Sequence, residues 1–342
     1  QESLPSLAEI KAAIPKECFE KDLVKSIAYL IWDVILMVIL YKVEPVFELA
    51  GYPGMIFWYF LVGMIGSSIF VVGHDCGHTT FSNYQWINDI FGHLTHGALF
   101  APYWPWQKTH RAHHTFTSHL TKDLGHPWIT KAKYDTYNEA DKFFSYSVFT
   151  AAFRWLAYLI IGLPDGCHFY PGSVIFSNFK ERIQCAISGI VCVAWATAAY
   201  YYFGTFPLWV KFYVIPVLSH GFWLIMITYL QHKTDDIQVY EDGTWGYVRG
   251  QLQTIDRPYG FGIDELLHHI TDGHVAHHFF FTGIPHYNLM KATAAIQQKL
   301  EPFGVYRKEK SYDFLWKFAA ITNRLQYLIG EGTGLLTFAK EK

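Results

Sequence analysis

Four long apolar runs, grouped in two pairs and separated by polar chain, set the first expectations. Ile27–Ala50 and Pro53–Gly73 make the first pair; Ile183–Phe203 and Leu208–Leu230 make the second. Each approaches the ~20 residues that a helix needs to cross a bilayer. The partners are joined by turn sequences, Gly51-Tyr52-Pro53-Gly54 and Gly204-Thr205-Phe206-Pro207, so each pair predicts a helical hairpin. Polar residues interrupt the pattern: Asp33, Lys42 and Glu44 in the first run, and Lys211 and His220 in the fourth. Residues 1–25 form a polar, amphipathic lead-in. Trp86–Phe100 reads as an amphipathic or interfacial helix, and Tyr103-Trp104-Pro105-Trp106 suits a membrane interface. Val148–Leu163, which contains Arg154, reads as interfacial or partly buried. The expected fold is all-α: a single domain over residues 1–342 with four transmembrane helices at about 27–50, 53–73, 183–203 and 208–230. A helical cap, drawn from 74–182 and 231–342, would hold a two-metal site.

Composition agrees with a membrane protein that keeps much of its mass outside the bilayer. The 342 residues are 51% hydrophobic and 18% aromatic. Only 16% are charged, against about 25% in average soluble chains, while mean hydropathy is only +0.11. A net charge of -2 argues against a nucleic-acid partner. The five cysteines (Cys18, Cys76, Cys167, Cys185, Cys192) are odd in number and lack metal-ligand spacing, so reduced thiols are expected. The chain starts at Gln1, so a native start is expected upstream. Its last residues, Phe338–Lys342, form neither a CaaX box nor a KDEL signal.

The candidate chemistry lies in three histidine clusters: His74-Asp-Cys-Gly-His78, His110-Arg-Ala-His113-His114 and His274-Val-Ala-His277-His278. Residues three and four apart share one helix face, so each cluster turns two or three imidazoles toward one point. Imidazole suits zinc, copper, nickel and iron. Eight converging imidazoles exceed one tetrahedral ion, which points to two metals. An even number of spans separates the second cluster from the third, so all three can meet on one face of the membrane. Lys108, Arg111, Lys122, Lys131 and Lys133 put that face in the cytosol by the positive-inside rule. His232, just past the fourth run, faces the same side and is a further candidate ligand. His268, His96, Asp75, Asp123 and Asp272 are candidates for an extra ligand or for groups that orient the ligands, since metal-bound imidazoles hand their second N–H to a carboxylate or carbonyl. His93, His126, His168 and His286 read as ordinary surface or core residues. His220 marks either a proton or substrate path or helix packing.

Longer stretches carry a resemblance. Gly73-His-Asp-Cys-Gly-His78, Pro102-Tyr-Trp-Pro-Trp-Gln-Lys-Thr-His110, Ile227-Thr-Tyr-Leu-Gln-His232 and His274-Val-Ala-His-His278 with Ile284-Pro-His-Tyr287 resemble the membrane-bound fatty-acyl desaturases of the delta-12/omega-3 branch. Arg249-Gly-Gln and Thr254-Ile-Asp-Arg257 are similar to that branch as well. The resemblance spans roughly residues 15–305. It implies a non-haem di-iron centre, oxygen as co-substrate, an acyl lipid substrate, and cytochrome b5 or ferredoxin as electron donor. It also implies His74, His78, His110, His113, His114, His274, His277 and His278 as ligands, with His232 as a further one. Asn288 departs from the pattern, standing where many relatives have His, and His269 replaces a common Asn. The chain holds no His-Pro-Gly-Gly haem motif, so a separate donor protein is expected. The resemblance implies the endoplasmic reticulum as location.

The function expected is insertion of a cis double bond into an already unsaturated acyl chain, delta-12 on oleoyl, with omega-3 desaturation or hydroxylase, epoxygenase or conjugase outcomes on the same scaffold. No catalytic residue beyond the metal ligands is expected. Phe91, Phe100, Trp104 and Trp223 could line an acyl tunnel or simply pack. A metal transporter should place its ligands within its spans, where only His220 stands. A zinc hydrolase needs far fewer histidines.

Overall fold

The computed structural model describes residues 4–162 and 165–339; Leu163, at the end of the interfacial piece, and Lys340–Lys342 lie outside them. It is mostly helical. In chain order, the helices that matter are α1 (Leu7–Ala13), α2 (Leu23–Leu49), α3 (Gly51–Gly77), α4 (Gln85–Ala98), α5 (Tyr103–Thr115), α6 (Glu139–Tyr146), α7 (Phe179–Phe203), α8 (Ile215–His232), α9 (His274–Phe279), α10 (Leu289–Leu300) and α11 (Phe314–Arg324). An all-α reading misses one element. The strands β1 (Gln238–Tyr240), β2 (Leu328–Ile329) and β3 (Leu335–Phe338) form an antiparallel sheet in the order β1-β3-β2. Strands of two to four residues leave no periodic signature in the sequence.

Four helices among the described residues are long and apolar enough to cross a membrane: Leu23–Leu49, Gly51–Gly77, Phe179–Phe203 and Phe206–His232. A bent pair, Glu139–Tyr146 with Val148–Ile161, makes a fifth if counted as one span. The chain divides into two compact units. The first comprises Gln1–Glu20, Thr109–Thr150 and Met226–Lys342; the second comprises Lys21–Lys108 and Ala151–Ile225.

The second unit is built on the apolar helices. Asp22 starts α2 by accepting from the Val24 and Lys25 amides (2.9 and 3.1 Å). Two of the charges that interrupt the apolar pattern pair with each other: Lys211 Nζ lies 2.7 Å from Glu44, and 3.0 Å from Glu48. Within a span a paired charge is far less costly than a lone one. Helices approach closely where side chains are small. A Cβ on Gly63 would stand 2.3 Å from Ser219 Oγ, so only glycine fits there. Trp223 Nε1 donates to the Phe60 carbonyl at 2.9 Å across the same contact.

The span Phe206–His232 contains a wide turn at Val210–Val214. Pro216 has no N–H, so the Phe212 carbonyl loses its donor one turn ahead. Tyr41 Oη supplies one, donating to that carbonyl at 2.6 Å. Lipid offers no substitute.

In the first unit the amphipathic lead-in has a packing role. α1 carries a capping box between Ser6 and Glu9. Ile10, Ile14 and Cys18 pack against Leu289, Ala292, Ile296 and Leu300, the inner stripe of α10, and against Val275, Ala276 and Phe279 of α9. The Asn288 amide donates to the carbonyls of Glu17, Cys18 and Glu20 (3.4, 3.2 and 3.3 Å), tying the lead-in to the segment ahead of α10. This gives the departure at Asn288 a structural role.

Tyr41→Phe leaves the Phe212 carbonyl without its donor in an apolar setting. It should destabilise the protein by about 1–3 kcal/mol, read as a lowered thermal midpoint in detergent with the helical content unchanged.

Candidate metal centre

Local sequence explains how the histidines reach their places. The α3 helix does not stop where its apolar run stops; it continues through His74 to Gly77, because no helix breaker intervenes. The second cluster lies in the last turns of α5, the third on α9, and His232 ends α8. Seven of the nine candidate ligands belong to the first unit and two, His74 and His78, to the second.

Within the first unit the Nε2 atoms face one another in two groups. In one, His114 Nε2 lies 3.0 Å from His110 Nε2 and 3.1 Å from His277 Nε2. In the other, His232 Nε2 lies 3.3 Å from His113 Nε2 and 3.0 Å from His274 Nε2. His278 joins this second group, in which nitrogens of His113, His232 and His278 all lie within 4.8 Å of one another. In the second unit, His74 and His78 Nε2 stand 3.1 Å apart.

Hydrogen bonding cannot account for this arrangement. His113 Nδ1 sits 2.6 Å from Asp123 Oδ1 and donates to it. His274 Nδ1 donates to the Ile270 carbonyl at 3.1 Å. A ring that carries a single hydrogen, committed at Nδ1, offers only a lone pair at Nε2. His232 Nε2 carries one hydrogen at most, so it can serve only one of those two neighbours. His278 Nδ1 is held by Gln251 Oε1 (3.2 Å) and Thr117 Oγ1 (3.1 Å), and its buried Nε2 has no protein partner. Converging lone pairs with an orphaned buried nitrogen fit a cation. Two imidazoles about 2.0–2.1 Å from a shared ion, roughly 90–110° apart, place their nitrogens about 2.9–3.4 Å from each other, which matches the spacings found. Burial, then the neighbouring His274, His232, His113 and His277, hold the His278 imidazole well below its usual range, in the neutral form a metal requires.

The supporting groups sort differently from their positions in the sequence. Asp123 orients a ligand: besides His113 it accepts from the Ser118 amide (3.0 Å), Trp128 Nε1 (3.0 Å) and the Gly125 amide (3.3 Å). Asp75 is 3.8 Å from His74 Nδ1, beyond a hydrogen bond. Asp272 pairs with His269 at 3.0 Å rather than with a ligand candidate. His268 packs on His286, with ring centroids 4.7 Å apart, and the groups able to hold a metal do not include it. His96 belongs to the second unit, wedged between Phe70 (4.1 Å) and Trp106 (4.5 Å). His220 is a packing residue whose Nδ1 meets Ser67 Oγ at 3.0 Å. Of the residues named for a tunnel, Phe91 packs on Phe81, Phe100 on Phe169 and Trp223 on Phe60, while Trp104 Nε1 donates to Asp89.

Several supporting residues went unnamed. Gln251 bridges two clusters, accepting from His278 and donating to the His114 carbonyl at 2.8 Å. Asp256 accepts from the Val275 amide at 2.8 Å and from the Tyr306 hydroxyl, and so caps the start of α9. Burial raises its carboxyl to about 7. Tyr247 Oη donates to the Phe279 carbonyl (3.0 Å), pinning the other end. Arg257 donates to the Leu230 and Lys233 carbonyls at the end of α8 and pairs with Glu309 at 2.9 Å. The signal was present: Gln251, Asp256 and Arg257 belong to the Arg-Gly-Gln and Thr-Ile-Asp-Arg stretches.

This site defines a histidine-held, metal-dependent membrane enzyme, and the comparisons name its class. The fatty acid desaturase family model matches residues 50–311, and the chain belongs to that family. It is 48% identical to the Delta(12) fatty acid desaturase fat-2 of Caenorhabditis elegans, over 98% of this chain and 91% of that protein. It is 44% identical to the Omega-3 fatty acid desaturase fat-1 of the same organism, over 98% and 84%. It is 35% identical to Oleoyl-12-hydroxylase FAH12 of Ricinus communis, over 92% and 85%. The protein is thus a fatty-acyl desaturase and an oxidoreductase of the membrane, drawing on an electron donor and acting on a lipid.

Asp123→Asn removes the charge that orients His113. Metal affinity should fall about 10–100-fold, measured as metal retained through chelator dialysis, with the fold intact by circular dichroism. A pH dependence follows from buried histidines outside the ligand set. Burial depresses His126 and His96, and lowers His168 to about 4. Unfolded histidine titrates near ~6.5. Below that pH the unfolded chain binds more protons, so stability falls as pH drops from about 6.5 toward 4. Thermal unfolding of the chelated protein should show this slope, and His168→Phe should flatten it.

Proposed function

We propose that the chain is a delta-12 desaturase acting on oleoyl chains through a non-haem di-iron centre. The observation that carries the reading is the pair of inward Nε2 groups, with the orphaned Nε2 of His278, in a chain 48% identical to a Delta(12) desaturase. His110, His114 and His277 would hold one iron; His113, His232, His274 and His278 would hold the other. His74 and His78 are assigned to the centre because the family implies them and their own Nε2 atoms are 3.1 Å apart. The four spans are read as two hairpins, with the remaining chain as a cytosolic cap at the endoplasmic reticulum. Lys108, Arg111 and Lys122 support that orientation.

Two adjacent methylenes each lose a hydrogen and a carbon–carbon π bond forms, while oxygen, two electrons and two protons complete two waters. When bound, the irons supply the oxygen-derived oxidising power that unactivated C–H bonds demand. The electrons are read as coming from cytochrome b5 or ferredoxin. The chain's own work is positional. Asp123, the Ile270 carbonyl, Gln251 and Thr117 hold the rings in one tautomer and one orientation. Buried packing around the rings keeps water away from them. The second unit holds an apolar cavity of about 500 Å³, lined by residues such as Met37, Tyr41, Gly66, Ala98 and Trp195. It has the size and character of a lipid-chain site and supports the substrate assignment.

The test is expression in a host that makes only monounsaturated chains, followed by fatty-acid profiling. Linoleoyl chains should appear, the purified protein should carry about two irons, and His113→Ala or His277→Ala should abolish the product while leaving membrane insertion intact. A hydroxylated oleoyl product, or a new double bond only in supplied diunsaturated chains, would replace the delta-12 reading. Stoichiometric zinc without oxygen-dependent activity would remove the di-iron one.

A further inference from the structure

α11 is apolar on two faces. Its inner face buries Phe314, Phe318, Ile321 and Thr322. Its outer face repeats at helical spacing through Tyr312, Leu315, Trp316, Ala319 and Ala320, with Trp316 76%, Tyr312 57% and Leu315 46% exposed. A second apolar face left exposed on a helix marks a surface that contacts lipid or another apolar partner. Beside it a strained loop pushes out another aromatic. Gly260, Phe261 and Gly262 all adopt positive φ (75°, 57° and 78°), and Phe261 is 81% exposed, its ring 6.0 Å from Tyr312. An aromatic residue in the left-handed region is costly. Here Asp264 holds the loop by accepting from the Tyr259 and Gly260 amides (2.9 and 2.7 Å).

The depth of this patch can be read from α8. Phe318 packs edge-on against Tyr229, ring centroids 6.0 Å apart, and Tyr229 lies in the last turn of the span Phe206–His232. That span has 27 residues, or about 40 Å of helix. A bilayer's hydrocarbon is about 30 Å thick, and about 40–45 Å with headgroups, so the end of the span stands in the headgroup layer. α11 packs at that level. Lys308 and Lys310, both exposed, stand next to Tyr312 in the chain. Aromatic residues with flanking lysines are the composition of a segment lying in a membrane interface.

We propose that the outer face of α11 and the Phe261 loop lie in the bilayer interface, with Phe261, Tyr312, Leu315 and Trp316 among the lipid headgroups and upper acyl chains. The occupant is the membrane that α8 crosses. This contact would fix the first unit against the bilayer independently of the spans, whatever reaction the enzyme performs.

The experiment uses the full-length protein in phosphatidylcholine nanodiscs, with and without phosphatidylserine. Cys167→Ser removes the one cysteine that is not buried. Phe261→Cys and Trp316→Cys are then made singly in that background and nitroxide-labelled. Relaxation by oxygen, which concentrates in lipid, is compared with relaxation by a water-soluble nickel chelate. Oxygen should dominate at both positions, and phosphatidylserine should deepen the difference. Nickel dominating at both would overturn the proposal by placing the patch in water. A label immobilised and shielded from both reagents would overturn it by placing a protein, a partner or a second copy over the patch.

Discussion

The structure rests on keeping buried imidazole lone pairs aimed at one another without a hydrogen to satisfy them. Leaving a buried polar atom unpaired costs about 1–3 kcal/mol, and His278 Nε2, one of the seven candidate ligands in the first unit, is such an atom. The arrangement holds because the far edges of His113, His274 and His278 are engaged. Asp123 accepts a hydrogen bond from His113 Nδ1, the Ile270 carbonyl accepts one from His274 Nδ1, and Gln251 with Thr117 fixes His278. Once Nδ1 is committed as donor, Nε2 is left as acceptor. The tautomer is therefore chosen by groups that are not themselves ligands. A cation then converts the cost of burial into binding energy.

The surrounding fold keeps those far edges in register. α9 has only six residues and little helical stability of its own. Asp256 at its start, Tyr247 at its end, and the apolar stripe of α10 hold it in place. The end of α8, where His232 stands, is fixed by Arg257 taking the carbonyls that a helix end leaves open. The effect of these contacts is on position, since each fixes a helix end that carries a candidate ligand.

Spans and ligands were legible in the sequence for different reasons. The apolar runs located four helices within a few residues, because hydrophobicity decides which segments can enter lipid. Their ends were misplaced where hydrogen bonding rather than hydropathy sets them. α2 begins at its Asp22 cap, and α3 runs on through the first histidine cluster. The histidines stood out because i, i+3 and i+4 spacing is a local property. The groups orienting them did not, since they meet only after folding: Gln251 lies 137 residues from the His114 carbonyl it bonds. Nearness in sequence could not rank the aspartates. Asp75 adjoins a ligand and fails to bond it, while Asp123 stands ten residues from His113 and does. The three-stranded sheet escaped notice because its strands are short and because β1 pairs with β3 across roughly a hundred residues.

The separation of tasks between the two units bears on what decides the product. His113, His274 and His278 of the first unit are each held at Nδ1 by a group of the surrounding fold, so a shift of one of these rings strains its support. Such a set resists gradual change, so it is a poor place to tune where along an acyl chain the reaction falls. The cavity of the second unit has the opposite character. Its lining is apolar, drawn from several helices, and includes Gly66, Ala98, Ala198 and Ala199, whose small size makes the space. Apart from Tyr41, whose hydroxyl holds the Phe212 carbonyl, the wall is set by packing rather than by hydrogen bonds. Enlarging a lining side chain moves a wall by a carbon or two without disturbing a polar network. On the proposed reading, the histidine set carries the oxidising chemistry, and an apolar lining of this kind is where a change of side chain would shift the position of the double bond.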